Sequence, residues 1–397
     1  MATVLLRPRG GLIDPAAVDA TAYFSPAELD RAEDFRDLQR ILGLAGTLLA
    51  GVTVAFVALR PPRAVRRALE GAGRRPLLAG AAVGAGLALT IAVVELPLSI
   101  WRHERAVDFG LSTQSFGPWL GDVAKATGIS AVFAAIGGLL VMALIRRFPR
   151  NWWAPAAVLV VGAAAAMLYL QPILIDPLFN RFEPLPRGEL RADVLRLADK
   201  AGVDVGEVYR VDASRRTSAI NAYVGGLGHT KRVVLYDNLI DDYPAGQVRS
   251  VVAHELGHVK HHDVPRGLLW IALVAPGATL LIQRLAHRFA HGGFDGPGKP
   301  GPEILPAAIL AFALVSFGLG IAGNVLSREV EARADAFALD LTRDPRSFIE
   351  LERSLAIRNV GDPDPPALLH ALFGTHPTTV DRIGYGVAAS EGERPSE

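Results

Sequence analysis

His254, Glu255 and His258 stand in the pattern His-Glu-x-x-His, inside a run from Gln247 to Asp263 that reads QVRSVVAHELGHVKHHD. On a helix, residues four apart share one face about a turn from each other, so the two imidazoles can aim at one point. Glu255 follows the first histidine and projects toward the rim of that point, where the water to be activated would sit. Two zinc ligands and a carboxylate that takes and returns a proton have this spacing. Val251, Val252, Ala253 and Leu256 supply the apolar helical run that carries them, and Gly257 leaves room beside the metal. His261 and His262, next to Lys260 and Asp263, read as a solvated helix end.

A catalytic zinc takes three protein ligands and keeps one open position. The chain has no cysteine, so the third ligand must be His, Asp or Glu. Glu331 is the candidate, in Glu331-Ala332-Arg333-Ala334-Asp335. Glu331 and Asp335 are four apart on one helical face, so one carboxylate can bind zinc while the other takes the N–H of a ligand histidine.

The elements that must position these groups are largely apolar. Half of the 397 residues are hydrophobic and mean hydropathy is +0.28. A net charge of +1 indicates no nucleic-acid partner. Six segments approach the length of a bilayer crossing: 41–59, 77–100, 128–145, 155–175, 267–285 and 304–323. The second contains Glu95, whose carboxylate is expensive in lipid and faces either protein, a water-filled cavity or the interface. Gly80, Gly84 and Ala88 form a small-residue face suited to close helix packing.

Outside the spans, Ser25-Pro26-Ala27-Glu28 reads as a helix start that runs into the first span, and 1–38 offers no secretory signal. Residues 187–200 form an amphipathic helix. Residues 207–212, 219–224 and 232–236 read as strands, the last two joined through 225–230. A small sheet beside the zinc helix offers an edge for an extended peptide, or else a hairpin that only covers the helix. The Gly- and Pro-rich stretch 287–302 reads as a flexible connection, and 385–397 as a disordered tail. The expected domains are an N-terminal segment 1–38, four transmembrane helices in 39–175, a first metallopeptidase half 176–266, a transmembrane hairpin 267–325, and a second half 326–384 with the third ligand.

HELGH together with NVLSREVEARADAF (324–337), DPLFNRFEPLP (176–186), Asn221-Ala222-Tyr223 and FGLSTQSFGPWLGD (109–122) resembles the CAAX prenyl protease 1 (Ste24-type) group of the M48 metallopeptidases, from about Phe24 to Tyr385. The resemblance implies zinc on His254, His258 and Glu331, one ion per chain, with Glu255 as catalytic acid/base and Asp335 behind the ligands. It places Asn221, Ala222 and Tyr223 on a substrate-contacting strand and matches His376, in His376-Pro377, to a histidine that stabilises the transition state. It also implies membrane helices around a chamber. Members of that group from eukaryotes carry seven spans, and the first has no counterpart here.

The expected fold is therefore a mainly α, polytopic membrane protein, with about six transmembrane helices and a zincin-like domain containing a small β-sheet. The expected function is an integral-membrane zinc metalloendopeptidase that hydrolyses peptide bonds with a zinc-activated water. Its partners would be a peptide or membrane-associated protein and the lipid bilayer of the cell membrane. A heat-shock-type quality-control protease is the alternative within the same chemistry. A transporter with a structural zinc is the alternative outside it, and has no use for Glu255. Arginines crowd the loops at 60–75 and 146–150, which positive-inside counting would make cytoplasmic. The resemblance puts the zinc domain on the cytoplasmic side instead, and that orientation is the expectation.

Overall fold

A computed structural model describes residues 2–225, 231–290 and 300–392. In chain order the helices before the sheet are α1 (Ala2–Leu6), α2 (Pro26–Leu59), α3 (Arg63–Gly71), α4 (Pro76–Asp108), α5 (Phe116–Arg147), α6 (Trp153–Leu170) and α7 (Asp176–Phe179). A π-helical turn, Gln171–Ile175, joins α6 to α7. Then come β1 (Phe182–Pro184), α8 (Glu189–Ala201), β2 (Glu207–Val211), β3 (Ala222–Gly225), β4 (Arg232–Tyr236), α9 (Asp237–Asp242) and α10 (Ala245–Lys260). The chain closes with α11 (Asp263–Phe289), α12 (Leu305–Thr342), α13 (Pro345–Arg358), α14 (Ala367–Phe373) and α15 (Thr379–Gly392).

Among the described residues, six helical stretches are long and apolar enough to cross a membrane: α2, α4, α5, the α6–α7 run, α11 and α12 with the turn before it. They match the six segments expected from the sequence. Large apolar side chains stand outward on them, such as Val93, 69% exposed, and Val158, 74% exposed, as a lipid-facing surface requires. The spans outrun the apolar segments because polar helix continues beyond each. At the start of α2, Ser25 and Glu28 form a capping box, which fixes the first turn of a helix that continues without a break to Leu59. The expected boundaries at 38/39, 266/267 and 325/326 thus each fall inside one helix.

The small-residue face of α4 serves contact with α5. A Cβ added at Gly84 would lie 2.0 Å from the carbonyl oxygen of Ala134, and one at Gly80 would lie 2.6 Å from that of Gly138. The two backbones touch where both helices lack side-chain bulk, which is how helices gain packing energy in lipid. Glu95 faces protein: a Cβ on Gly46 of α2 would meet its Oε1 at 3.9 Å.

The sheet has the order β1-β2-β4-β3, with β2 and β4 parallel and the outer strands antiparallel to their neighbours. β3 and β4 pair as expected, Ala222 opposite Leu235, although β3 starts three residues late. The delay has a cause: Asn238 Nδ2 donates to the carbonyls of Ala219, at 2.7 Å, and of Thr217, at 3.3 Å, which holds this stretch off the ladder. The short β1 was not foreseen, because Pro184 and Pro186 mask a three-residue strand. The joining residues 226–230 lie outside the described residues, as does most of the Gly- and Pro-rich connection, 291–299. Val208, Val233 and Leu235 from the sheet and Val252, Ala253 and Leu256 from α10 share one core, all fully buried.

The expected tail at 385–397 is corrected for its first part. α15 runs to Gly392, and Ile383 and Tyr385 are buried against the body of the protein. Its Gly-, Ser- and Glu-rich end looked like a solvated coil, yet glycines are what the contact needs, since a Cβ on Gly386 would meet Ile349 at 2.5 Å.

Candidate active site

The centre forms where α10 crosses α12. Gly257 makes the crossing close, because a Cβ there would stand 3.3 Å from Ala334 Cα and 3.2 Å from the Phe337 ring. Its smallness clears the neighbouring helix, and the approach brings Glu331 and Asp335 onto the two histidines.

His254 Nε2 and His258 Nε2 face each other at 3.2 Å, and Glu331 offers Oε2 at 3.1 Å from the first and Oε1 at 3.7 Å from the second. Each imidazole is fixed from behind. His254 Nδ1 donates to Asp335 Oδ1 at 2.8 Å, and His258 Nδ1 donates to Asp263 Oδ2 at 3.0 Å. With both Nδ1 atoms donating, both Nε2 lone pairs point into the same space, an arrangement that repels itself unless a cation stands between them. Burial alone would keep His254 neutral, but the Asp335 and Glu331 carboxylates outweigh it and lift its pKa to about 10. His258 rises to about 9 against its own burial, through Asp263 and Glu331. The space demands positive charge.

The separations suit zinc. A tetrahedral ion with bonds near 2.0–2.1 Å needs its ligand atoms about 3.3 Å apart, and the three donors span 3.1 to 3.7 Å. A Glu255 oxygen also lies within 4.8 Å of both imidazole ligand atoms, so His254, Glu255 and His258 could surround a cation by themselves. Glu331 is the nearer carboxylate and touches both histidines, so His254, His258 and Glu331 stand as the closest group of candidate donors. Glu255 is left beside it. Burial raises the pKa of the Glu255 carboxyl against the pull of the histidines, which favours proton uptake.

His376 arrives from the loop between α14 and α15, with Nε2 at 3.3 Å from Glu331 Oε2. Its Nδ1 is 2.9 Å from the Thr375 hydroxyl. With that hydroxyl donating, Nε2 carries the ring proton and faces the centre as a donor. The loop is fastened to α12: Arg328 Nη1 donates to the Gly374 carbonyl at 2.7 Å, and Asn324 Nδ2 donates to that of Leu372 at 2.7 Å.

Three functional side chains escaped the sequence reading. Arg382 clamps Asp335 with two bonds, Nε to Oδ2 at 2.8 Å and Nη2 to Oδ1 at 2.5 Å. Its Nη1 reaches Glu352 Oε2 at 2.8 Å. Both carboxylates are buried, and burial pushes Glu352 up to about 7 despite the arginine. Arg382 comes to Asp335 only through the docking of α15, which local spacing does not show. Glu352 had no signal. Asp263, named in the sequence only as a neighbour of His261 and His262, bonds both His258 and the guanidinium of Arg333. A left-handed turn at His262, φ 57°, swings Asp263 back under the histidine, and helical spacing cannot show that.

Asn221 is exposed at the head of β3, an outer strand of the sheet that lies against α10. Ala222 points inward, 2% exposed. Tyr223 is part-buried, and its phenol bonds Asp176, the first residue of the DPLFN stretch.

The sequence profile of peptidase family M48 matches residues 184–385, a stretch that holds the whole centre. The chain belongs to family M48. The profile of the CAAX prenyl protease N-terminal region, described as five membrane helices, matches 21–181 of this M48 peptidase, where four of its candidate spans lie. The chain is 30% identical to the uncharacterized metalloprotease YhfN of Bacillus subtilis, over 92% of this chain and 87% of the relative. It is 32% identical to the CAAX prenyl protease 1 homolog of Arabidopsis thaliana, over 75% and 71%. With CAAX prenyl protease 1 of Saccharomyces cerevisiae the identity is 27%, over 73% and 68%. The crystal structure of Ste24p from S. mikatae shares the fold, with a TM-score of 0.73 over 97% of this chain and 95% of that one at 21% identity. This M48 peptidase is a multi-pass membrane zinc metalloprotease of the Ste24 type.

Proposed function

We propose that His254, His258 and Glu331 hold one zinc ion, and that Glu255 and His376 act on a peptide laid along β3. When bound, zinc supplies Lewis-acid activation of water and of the scissile carbonyl. Glu255, beside the donor set and raised by burial, takes the proton from the attacking water and delivers it to the departing amine. His376, with Nε2–H turned inward, donates to the oxygen on which negative charge develops. Asp335 and Asp263 hold the two imidazoles in the tautomer that leaves Nε2 free, and Arg382 holds Asp335. Asn221 offers donor and acceptor to an extended backbone at the open edge of the sheet.

The substrate class is the backbone of a membrane-associated polypeptide. Relatives bearing the name CAAX prenyl protease 1 support a substrate held at the membrane. The zinc side is the cytoplasmic one. One observation carries the reading: three donor atoms at tetrahedral spacing, with each histidine backed by its own carboxylate. The test is metal content. The purified protein should hold about one zinc per chain, and Glu331→Ala or His258→Ala should lose most of it by elemental analysis. Full zinc in both variants would sink the assignment.

A further inference from the structure

The N-terminal segment packs against α11 and α12, beside His261 at the end of α10. It encloses a cleft of about 380 Å³, lined by Leu5, Arg7, Arg9, His261, Arg266 and Arg333 among others. Four arginines and a histidine on one small cleft are costly to assemble, because like charges repel. Two of the four are balanced: Arg7 Nε pairs with Glu329 Oε1 at 2.8 Å, and Arg333 pairs with Asp263. Arg9 and Arg266 have no ion pair among the described residues. Arg333 is only 5% exposed, and its Nε has no hydrogen-bond partner among the described residues. The exposed guanidinium groups of Arg9 and Arg266, beside the buried one of Arg333, leave positive charge at the cleft unmatched. Burial and the charges of Arg333 and Arg266 also hold His261 toward its neutral form, as a positive local potential should.

The cleft sits at the edge of the apolar surface. Arg266 stands in the first turn of α11, just before the apolar run that crosses the membrane. Trp270, one turn on, donates from Nε1 to Thr3 Oγ1 at 3.2 Å and so ties α1 to α11 at this level. Val4, Leu5, Val264 and Leu269 are all exposed around it, from 47% to 69%. Cationic donors above an apolar skirt match an anionic head joined to acyl chains.

We propose that this cleft binds a phosphate-bearing anion, with Arg9, Arg266 and Arg333 as its recognition elements and an anionic phospholipid headgroup as its source. The site is separate from the peptidase centre, though joined to it: Arg333 holds Asp263, and Asp263 holds His258.

The test uses the full-length, zinc-loaded protein in detergent, with native mass spectrometry to count bound lipid. Phosphatidylglycerol and phosphatidylcholine are offered in equal amounts, and inorganic phosphate is titrated in a separate arm. The native chain should retain one phosphatidylglycerol in preference. The double variant Arg9→Ala, Arg266→Ala should lose that preference by about thirtyfold, since each arginine near an anionic headgroup contributes a factor of about five. Its zinc content and its hydrolysis of a soluble peptide should stay as they were, which separates this site from the catalytic reading. Saturable inorganic phosphate binding without lipid preference, lost in the double variant, would keep the site and assign it to a soluble phosphate. Lipid preference and phosphate binding that are both absent, or both unchanged in the double variant, would overturn the proposal.

Discussion

At the scale of single residues, the division of labour among five carboxylates decides the chemistry. Glu331 faces two imidazole nitrogens, Asp335 and Asp263 each hold one imidazole from behind, Glu352 backs Arg382, and Glu255 is the one to which the proposed mechanism gives the proton. Glu255→Gln should keep zinc at the native level while peptide turnover falls by about a hundred- to ten-thousand-fold, the usual range for loss of a general base. Turnover near the native rate would end the assigned role. Asp263→Asn preserves shape but supplies one acceptor oxygen where the carboxylate has two, shared between His258 and Arg333. Zinc affinity, measured by competition with a chromophoric chelator, should drop by about tenfold, and an unchanged affinity would show that the His258–Asp263 bond is idle. The meeting of His254 with His258 and of Glu331 with Asp335 was legible in the sequence because helical spacing makes four-apart residues into neighbours. Asp263 and Arg382 were not, since one depends on a left-handed turn and the other on how α15 docks.

Among elements, two contacts do most of the positioning, and both depend on glycine. α4 and α5 meet backbone to backbone at Gly80, Gly84 and Gly138, and α10 meets α12 at Gly257. Gly84→Ala places a methyl group 2.0 Å from the Ala134 carbonyl oxygen, where only backbone can yield. We expect about 1–3 kcal/mol of destabilisation, visible as a lower thermal transition in detergent. Gly86→Ala is the control, since it meets nothing within 4 Å, and equal losses in the two variants would refute the packing account. β3 is the other element with a stated task. Asn221→Ala should lower kcat/KM for extended peptides with zinc intact, whereas unchanged kinetics would mean that the strand merely covers α10. The spans and the β3–β4 pair were readable from apolar length and alternation. The three-residue β1 and the late start of β3 were not, because prolines and the Asn238 amide override local pattern there.

For the whole molecule, orientation follows from span number. Six crossings put both ends of the described chain and the whole centre on one side of the bilayer, and the loops holding α3 and Arg146, Arg147 and Arg150 on the other. With the zinc side cytoplasmic, a cysteine at Gly71 should react with an impermeant thiol reagent on whole cells and a cysteine at Asp364 should be spared. Both positions are exposed, and the native chain has no cysteine to confuse the result. The reverse labelling would invert the topology. α12 adds something that neither side alone explains. It is a single rod from Leu305, at the start of a membrane span, to Thr342, and Glu331 rides on it 26 residues from Leu305. At 1.5 Å per residue that arm is about 39 Å, so one degree of tilt shifts the carboxylate by about 0.7 Å. Helices answer bilayer thickness by tilting. On the proposed metal site, the rod that carries Glu331 is thus a long arm, and a tilt imposed by thinner or thicker lipid would move that carboxylate against the two histidines.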